Sequence, residues 1–368
     1  MAETVSAESA KTRVRPFHEI PGPKPTPIIG NMWRFFPYIG EYYGMGALDL
    51  HKALYAKYGD IVCLAGLPGH KGIVFIYRPE DAEVMFRNEG PWPIRDGMQS
   101  LGYYRKVIRK DFYKDGGGVL TEHGEKWMEA RSKANQPMLQ PRISKQYIRP
   151  IAGVAQDFVD RIRTLRNEKS EMPDYFINEL FKWSLESIAY VALDKRLGCL
   201  APNLPPNSEP QRMINAVGDF FENLFYLEFG PPIWKLYPTA TWKKFVKALD
   251  FFFEVSVKYV EEAIRQVQEC KEKGLDDSEP SVLARLLARS DKKSAIVMAQ
   301  DMMFGGVDTT SYSVATSIYF ISKNKDKQEL LFQELKRLLP NKNDEITEEK
   351  LENMKYLKAC IKESARYV

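Results

Sequence analysis

Residues 302–313, "MMFGGVDTTSYS", combine two glycines, one carboxylate and four Ser or Thr hydroxyls inside an otherwise apolar stretch. Each glycine in a helix interior costs about 1 kcal/mol relative to alanine, and the hydroxyls compete for backbone hydrogen bonds. A lone carboxylate such as Asp308 in apolar surroundings must be paired, hydrated or used in chemistry. Two interpretations stay open: a close helix–helix crossing, or a locally opened turn beside a ligand, with Asp308 and Thr309 facing the gap.

A second pair of residues suits the binding of an anion. In "HGEKWMEAR", residues 123–131, Trp127 and Arg131 are four residues apart and therefore share one helix face. An indole N–H beside a guanidinium can hold a carboxylate by two hydrogen bonds. The alternative is an aromatic ring packed on the arginine stem, which needs no ligand.

A third pair lies in "KESAR", residues 362–366, where Glu363 and Arg366 are one helical turn apart. Such a pair usually forms an exposed ion pair worth a fraction of a kcal/mol, about 0.2–0.5. Taken alone, it therefore points to no function.

The composition excludes several classes of protein. The 368 residues carry a formal net charge of only +4, so nothing in the balance of charges indicates nucleic acid as a partner. Four scattered cysteines and four scattered histidines form no zinc-like cluster, and they indicate unpaired thiols in a reducing compartment. No charge-free apolar run of about 18 residues precedes the globular part, so we expect no spanning N-terminal anchor.

The pattern of elements predicts a mostly α protein with a small β region near the N-terminus. The runs 60–67 and 71–77 predict a β-hairpin, residues 78–90 a short helix, and residues 91–118 a long loop. The proline-dense run 20–31 reads as a stiff connector. Helical spacing then predicts helices over residues 121–140, 143–166, 173–195, 209–226, 240–273, 280–290, 294–322, 326–339 and 347–367.

Taken together and in this order, the three motifs resemble those of the cytochrome P-450 superfamily of haem-thiolate monooxygenases. Members carry (Ala/Gly)-Gly-x-(Asp/Glu)-Thr-(Thr/Ser) on a long central helix, Trp-x-x-x-Arg on an earlier helix and Glu-x-x-Arg on a later one. This sequence supplies all three, together with a proline-rich entry at residues 20–27. The resemblance covers about residues 20–368 and implies the cytochrome P-450 fold as a single domain, with residues 1–19 as a flexible or targeting segment.

The resemblance also implies roles for particular residues and a haem cofactor. Asp308 and Thr309 would lie at the oxygen-binding face and deliver protons, which is general-acid chemistry. Room for dioxygen would come from the two glycines, Gly305 and Gly306, where the helix opens. A haem propionate would be held by Trp127 and Arg131, and the core beneath the haem would be locked by Glu363 and Arg366.

Two stretches look like the mitochondrial branch of the family, and most closely like its insect members: "RNEGPWPIR" and "LKACIKESAR". In that branch, basic residues on the Glu-x-x-Arg helix receive an acidic ferredoxin, and Lys358 and Lys362 match them. This implies a mitochondrial, inner-membrane-associated protein that oxidises a lipophilic substrate, either a xenobiotic or a sterol-like compound. The aromatic run after residue 31 and the region 209–230 suit peripheral contact with lipid.

The Phe-x-x-Gly-x-Arg-x-Cys-x-Gly loop, whose cysteine binds the haem iron in the family, is not among these 368 residues. None of the four cysteines stands in that position, so we assign no metal ligand. We therefore expect a domain that lacks its C-terminal part, as a fragment, an incomplete gene model or a short splice form. We expect it to be inactive alone. The four cysteines are Cys63, Cys199, Cys270 and Cys360.

Two other functions are weighed against the monooxygenase. The first is a non-catalytic form that binds an apolar ligand or the electron-donor protein. The second is an unrelated all-α enzyme that acts on prenyl diphosphates, suggested only by "DDSEP" at residues 276–280. That enzyme class needs a repeated acidic motif to hold magnesium and diphosphate, and this sequence has no second copy.

Overall fold

The computed structural model describes residues 15–70, 72–94, 97–114, 116–272 and 280–367. The chain divides into two compact units. The first comprises Met1–Pro93 with Phe229–Tyr237, and the second comprises Ile94–Glu228 with Pro238–Val368. The acidic run 276–279 lies outside the described residues.

The first unit contains the predicted hairpin. Strands β1 and β2 pair antiparallel, with Val62 opposite Phe75. A small core forms where the buried side chains of Tyr42, Leu54 and Val62 meet. The short helix predicted over residues 78–90, from a proline near its start and a glycine at its end, is present as α2. The unit's bounds are α1 Ala47–Tyr58, β1 Ile61–Leu64, β2 Ile73–Ile76 and α2 Pro79–Asn88, with 3-10 turns at Phe17–Glu19, Met32–Phe35 and Ile233–Lys235.

Helix α1 was not predicted from the sequence. Only Leu54 of its twelve residues is fully buried, so the apolar spacing that announces a helix is weak there. By contrast, the proline-dense run 20–31 contains no helix, as expected, and Thr26 and Gly30 form a single antiparallel bridge within it.

The second unit is helical throughout its described elements and is organised around α12. The ring of Phe304 on α12 stacks on Phe220 of α9 at 4.4 Å between centroids, and lies 4.8 Å from Phe252 of α10. The bounds are α3 Gln99–Tyr103, α4 Lys110–Tyr113, α5 Gly124–Leu139, α6 Pro141–Lys145, α7 Ile148–Leu165, α8 Phe176–Leu193, α9 Glu209–Phe229, α10 Ala240–Glu272, α11 Val282–Arg289, α12 Lys292–Lys323, α13 Lys325–Leu338, α14 Glu348–Asn353 and α15 Lys355–Arg366.

Burial changes along α12. The helix begins after Asp291, whose carboxylate accepts a hydrogen bond from the backbone N–H of Ser294 at 2.6 Å. From Ala295 to Phe304 every side chain is buried, whereas from Gly305 to the end of the helix only Val307 and Ser311 are buried. The change occurs at the glycine pair that the sequence singled out.

Three predicted elements were wrong in detail. The supposed loop 91–118 contains α3, α4 and a π-helical turn, Tyr104–Ile108, because contacts with other helices hold it. The single helix predicted over 143–166 is two helices, with a break at Tyr147, whose hydroxyl accepts a hydrogen bond from the N–H of Val282 at 2.9 Å. The helix predicted over 347–367 is also divided, at Met354, which is buried.

No helix among the described residues is both long enough and apolar enough to cross a membrane.

Candidate functional site

The segment Gly305–Thr310 lies at the middle of α12, and its backbone is helical throughout. The locally opened turn that the sequence suggested is therefore not present. The hydroxyl of Thr309 donates a hydrogen bond to the carbonyl oxygen of Gly305 at 2.5 Å. Hydroxyls of Ser311, Thr316 and Ser317 donate in the same way to the carbonyls four residues before them. These four hydroxyls are thus bonded back to the backbone of their own helix.

The two glycines differ in their surroundings. A Cβ atom added at Gly306 would lie 2.6 Å from Cγ1 of Ile188 on α8, and the Gly306 carbonyl accepts a hydrogen bond from the hydroxyl of Ser184 at 2.7 Å. Gly306 therefore serves a close helix crossing. A Cβ at Gly305 would meet no described atom within 4 Å, so this glycine faces open space. The helix crossing interpretation therefore applies to Gly306, and Gly305 leaves open space beside a helix that stays continuous.

Asp308 is half-buried and forms no hydrogen bond or ion pair with any residue that the structure describes. Burial alone raises the pKa of its carboxyl group above the ordinary value. The neighbouring Thr309 is exposed, as is Gly305 one turn before it. An acid with a raised pKa, a hydroxyl and an open space therefore lie within one turn of helix, and such a group can pass protons from solvent.

Trp127 and Arg131 lie on α5, both of them half-buried. Neither the Trp127 indole N–H nor the Arg131 guanidinium has a hydrogen-bond or ionic partner within the described ranges. Their neighbours on the same helix differ, since Lys133 bonds to Glu129 at 2.8 Å. The pair does not line the cavity of about 340 Å³ between α5, α11 and the start of α12. The donors of Trp127 and Arg131 therefore remain available for an anion.

Glu363 and Arg366 on α15 form the expected ion pair, with Nη2 of Arg366 2.8 Å from Oε1 of Glu363. Both side chains are more than half exposed, so the pair contributes little to stability by itself. Arg366 also lies over the ring of Tyr367 at 4.4 Å. The proposed docking residues, Lys358 and Lys362, are exposed on the same helix.

No hydrogen bond or ion pair among the described residues joins these three motifs to one another. The helices that carry the first and third motifs do pack together, since the ring of Phe320 on α12 lies 5.3 Å from that of Tyr367, which follows α15.

The described residues contain no cluster of three His, Cys, Asp or Glu side chains that could hold a metal ion. Cys63, Cys199 and Cys360 are free thiols. Burial raises the pKa of all three, and Glu186 beside Cys199 and Glu334 near Cys360 add to it. These thiols are therefore poor sources of a thiolate. The Cys270 side chain lies outside the described residues.

Comparison with known proteins decides the family. The family model described as cytochrome P-450 matches residues 20–368. The chain belongs to the cytochrome P-450 family. It is 40% identical over 366 residues to probable cytochrome P-450 301a1, mitochondrial, of Drosophila melanogaster, which covers 99% of this chain. It is 38% identical over 368 residues to cytochrome P-450 CYP12A2 of Musca domestica, again covering 99% of this chain. The resemblance to insect cytochromes P-450 is therefore confirmed.

The chain is shorter than these relatives. It spans 66% of the length of cytochrome P-450 301a1, 62% of probable cytochrome P-450 49a1 of Drosophila melanogaster and 67% of CYP12A2. The mostly α fold with a two-stranded antiparallel sheet agrees with the family assignment.

Some of the described residues fit the haem that the family implies. Arg131 and Trp127 offer unpaired donors of the kind that a propionate accepts, and Gly305 leaves open space beside Thr309. The thiols do not offer an iron ligand. The donors of Trp127 and Arg131 and the open side of Gly305 thus fit the haem that the family implies, and the described thiols do not supply an iron ligand.

One residue pair of this cytochrome P-450 chain was missed by sequence reasoning. The guanidinium of Arg105 lies 2.6 Å from the carboxylate of Asp301, and both side chains are almost fully buried. Asp301 was visible as the second acid in the apolar stretch, and the rule that a buried carboxylate needs a partner applied to it equally. The partner lies 196 residues away in the sequence, inside the segment that had been taken for a loop.

The contrast between the glycines generates a stability prediction. We expect Gly306→Ala to lower the free energy of unfolding, because overpacking against Ile188 costs about 1–3 kcal/mol and exceeds the gain in helix propensity. We expect Gly305→Ala, the matched control, to raise it by up to about 1 kcal/mol, because its new methyl group meets open space. Urea unfolding at neutral pH measures both. Equal effects of the two substitutions would contradict the assignment.

The unpaired carboxylate generates a prediction of pH dependence. The pKa of Asp308 is raised in the folded protein, so its ionised form destabilises the fold at pH values above that pKa. We expect Asp308→Asn to increase the free energy of unfolding at pH 7. The gain should disappear as the pH falls through the folded pKa towards about 3.9, the ordinary value for aspartate. A loss of stability at pH 7 would show that Asp308 has a stabilising partner.

Proposed function

We propose that this chain carries the distal and propionate-binding parts of a mitochondrial-type haem monooxygenase that hydroxylates a lipophilic substrate with electrons from a ferredoxin. The observation that supports it most directly is the half-buried, unpartnered Asp308 beside the exposed Thr309 and the open side of Gly305. Unpaired acids inside helices are costly and are characteristic of sites that move protons. Family membership supplies the reaction class.

Haem, when bound, supplies the redox chemistry by which one oxygen atom of O₂ enters a substrate C–H bond. On this chain Arg131 and Trp127 would hold a propionate by charge-assisted hydrogen bonds, since the carboxylate acceptor is ionised. Fixing that carboxylate would anchor the cofactor to α5. The absence of any described partner for either donor supports this role, because a guanidinium committed to an ion pair could not serve it.

Proton delivery would use two groups on α12. The Thr309 hydroxyl donates its hydrogen bond to the Gly305 carbonyl. Its oxygen lone pairs therefore remain free to accept a hydrogen bond from a neighbour such as water. Asp308, with its raised pKa, would take a proton from solvent and release it toward that hydroxyl. The continuous helix holds the two residues in fixed relation. The role of Gly305 is to leave the space beside them open.

The 368 residues contain no copy of the family's cysteine loop, and the described thiols have raised pKa values. We propose that these residues by themselves do not form a thiolate-ligated haem and are inactive alone. In that state the chain could still bind an apolar ligand or the electron donor, which is the second candidate function. The Soret band of the reduced, CO-treated protein distinguishes a thiolate-ligated haem from a chain that forms none.

The names of the relatives and the local charge support a proposed partner and compartment. Cytochromes P-450 301a1, 12b2 and 12a5 of Drosophila melanogaster are named as mitochondrial. An electron donor of that compartment, an acidic ferredoxin, would be attracted by Lys358 and Lys362 on α15, which are exposed and one turn apart. Beside them, Glu363 and Arg366 pair with each other and leave the lysines to set the local charge.

Membrane contact would be peripheral and made by the first unit. It exposes large apolar side chains in the aromatic run after residue 31 and in the short segment that ends at residue 237. Such a concentration of exposed aromatic and aliphatic groups suits the interfacial region of a bilayer. A lipophilic substrate, either a xenobiotic or a sterol-like compound, would partition into the same phase. The exposed residues include Phe36, Tyr38, Ile39, Tyr43, Ile233, Leu236 and Tyr237.

Haem titration tests the assignment of the propionate donors. We expect the 368-residue protein to bind haemin, and Arg131→Gln to weaken binding about tenfold or more, because a charge-assisted hydrogen bond contributes about 1.5–3 kcal/mol. Lys126→Gln is the matched control, since it removes one positive charge from the same helix. After reduction and addition of CO, the Soret band should lack the red shift of a thiolate complex. A thiolate-type band, or equal losses in both variants, would contradict the proposal.

Donor docking is tested by charge reversal at a fixed spacing. We expect Lys358→Glu with Lys362→Glu to lower the association rate of an acidic [2Fe–2S] ferredoxin about tenfold or more at low salt, because steering by complementary charge is lost. Lys243→Glu with Lys247→Glu on α10 makes the same charge change at the same spacing on an exposed surface. Stopped-flow binding at two salt concentrations gives both rates. The proposed surface is wrong if the control pair has the larger effect.

A further inference from the structure

A groove of about 420 Å³ runs along α10, and all of its lining residues belong to the second unit. Two of them come from other elements, since Ile108 ends the π-helical turn and Arg212 lies on α9. Pro238 lies just before α10, and the lining residues of α10 itself form two rows with a spacing of four, so they share one face. No described lining residue lies on α12, so the groove is separate from the proton-transfer site proposed above.

The floor of the groove is apolar. Trp242 is 6% exposed, and Val246 and Phe251 are half-buried. Ile108 and Pro238 are exposed and extend this apolar surface. The volume of the groove falls within the range of about 300–1,000 Å³ that is usual for small-molecule sites. The apolar part of a ligand would cover this surface and remove it from water.

Three positively charged side chains line the same groove, Arg212, Lys243 and Lys247. The guanidinium carbon of Arg212 lies 4.2 Å from the centre of the Phe251 ring, which brings its charge from α9 over the floor. Lys243 and Lys247 are exposed and one turn apart on α10. None of the three side chains forms a hydrogen bond or an ion pair with a residue that the structure describes. Their donors are therefore available to a ligand.

The two lysines are unfavourable for the helix as they stand. Like charges four residues apart on a helix repel each other and destabilise it. Another lysine of α10 is paired, since Nζ of Lys258 lies 2.8 Å from the carboxylate of Glu209. A single carboxylate or phosphate could accept charge-assisted hydrogen bonds from both Lys243 and Lys247 and remove their repulsion.

Two carboxylates line the groove toward the C-terminal end of α10. Asp250 is engaged, since it accepts a hydrogen bond from the Tyr104 hydroxyl at 2.7 Å. Glu254 is exposed and follows Lys247 by seven residues, which is about 10 Å along the helix. Binding to an anionic membrane surface usually needs a cluster of about four to eight basic residues, and this mixture of signs does not provide one. A single molecule with one anionic group can meet the lysines and stay clear of the acids.

We propose that this groove binds an amphipathic anion, a single molecule with an apolar body and one carboxylate or phosphate group, of which a medium-chain fatty acid is the simplest example. The anionic group accepts hydrogen bonds from Lys243 and Lys247. The apolar body covers Trp242, Val246 and Phe251. Charge complementarity at one end and apolar contact along the floor together select this class of ligand.

The bound molecule would contact three elements at once: α9 through Arg212, the π-helical turn through Ile108, and α10. A ligand that binds only the folded chain stabilises it in proportion to the logarithm of the ligand concentration. The site goes beyond the proposed monooxygenase activity, and its occupation requires neither haem nor an electron donor.

Displacement of a fluorescent fatty acid, dansyl-undecanoate, from the full 368-residue chain tests the groove. We expect decanoate to displace the probe at concentrations at which it forms no micelles. Decanol carries the chain without the charge, and inorganic phosphate carries a charge without the chain, so each should displace the probe at least about tenfold less effectively. Octanoate should be about tenfold weaker than decanoate, because two fewer CH₂ groups are buried.

Two double variants locate the binding site. Lys243→Gln with Lys247→Gln should weaken probe binding about tenfold or more, because two charge-assisted hydrogen bonds are lost. Lys358→Gln with Lys362→Gln on α15 is the matched control, since it removes two exposed charges at the same spacing. It should change probe binding less than about twofold. Far-UV circular dichroism of both variants should match that of the unaltered protein.

Three results would overturn the proposal. Equal displacement by decanoate and by decanol or phosphate would show that an amphipathic anion is not recognised as such. Equal losses in the two double variants would show non-specific attraction to positive charge. If the chain instead floated with phosphatidylglycerol vesicles through Lys243 and Lys247, while decanoate displaced nothing, the groove would be a membrane contact. None of these results bears on the monooxygenase proposal, whose haem and donor tests are separate.

Discussion

The buried ion pair between Arg105 and Asp301 determines how the second unit is arranged around its central helix. The first half of α12 is enclosed by other helices, and a carboxylate enclosed without a counter-ion would cost several kcal/mol, about 3–5 when one partner of a buried pair is missing. Arg105 must therefore reach the helix, and it can do so only if the chain around it is folded against α12. The π-helical turn, the bend at Lys114 and the close approach of Gly118 all lie in the segment that brings that guanidinium to Asp301.

The two acids of α12 show how one helix can serve both stability and chemistry. Asp301 and Asp308 lie two turns apart, and burial raises the pKa of each. Asp301 lies opposite a guanidinium whose charge opposes that shift, whereas Asp308 has no described partner to offset the cost. A protein selected only for stability would pair or replace the second acid. Retaining it in a helix that is otherwise well packed is consistent with a proton-transfer role, and with the general conflict between stability and activity.

Much of the fold could be predicted from the sequence, because the apolar spacing of the long helices and the turn residues of the hairpin are local signals. The region 91–118 could not, since the residues that hold its helices are carboxylates far away in the sequence: Glu228, Asp250 and Asp301. Residue type gave no sign that Arg105 and Asp301 meet across 196 positions. The glycine pair was recognised as unusual, but its two members look identical in sequence. Only the position of Ile188 separates the glycine that packs from the glycine that leaves space.

Several residues that carry the proposed function have polar groups with no partner among the described residues. Arg131 and Trp127 have donors without acceptors, Asp308 has no cation, and Lys362 has no carboxylate within reach. Elsewhere in the same unit, buried charges are paired closely, as Glu179 is with Lys182 at 2.6 Å. Folded proteins satisfy their buried polar groups almost without exception, so a half-buried group with no described partner has its donors or acceptors available to water or to a second molecule. The sequence motifs single out these residues by resemblance, and the described structure leaves these groups available for the roles proposed for them.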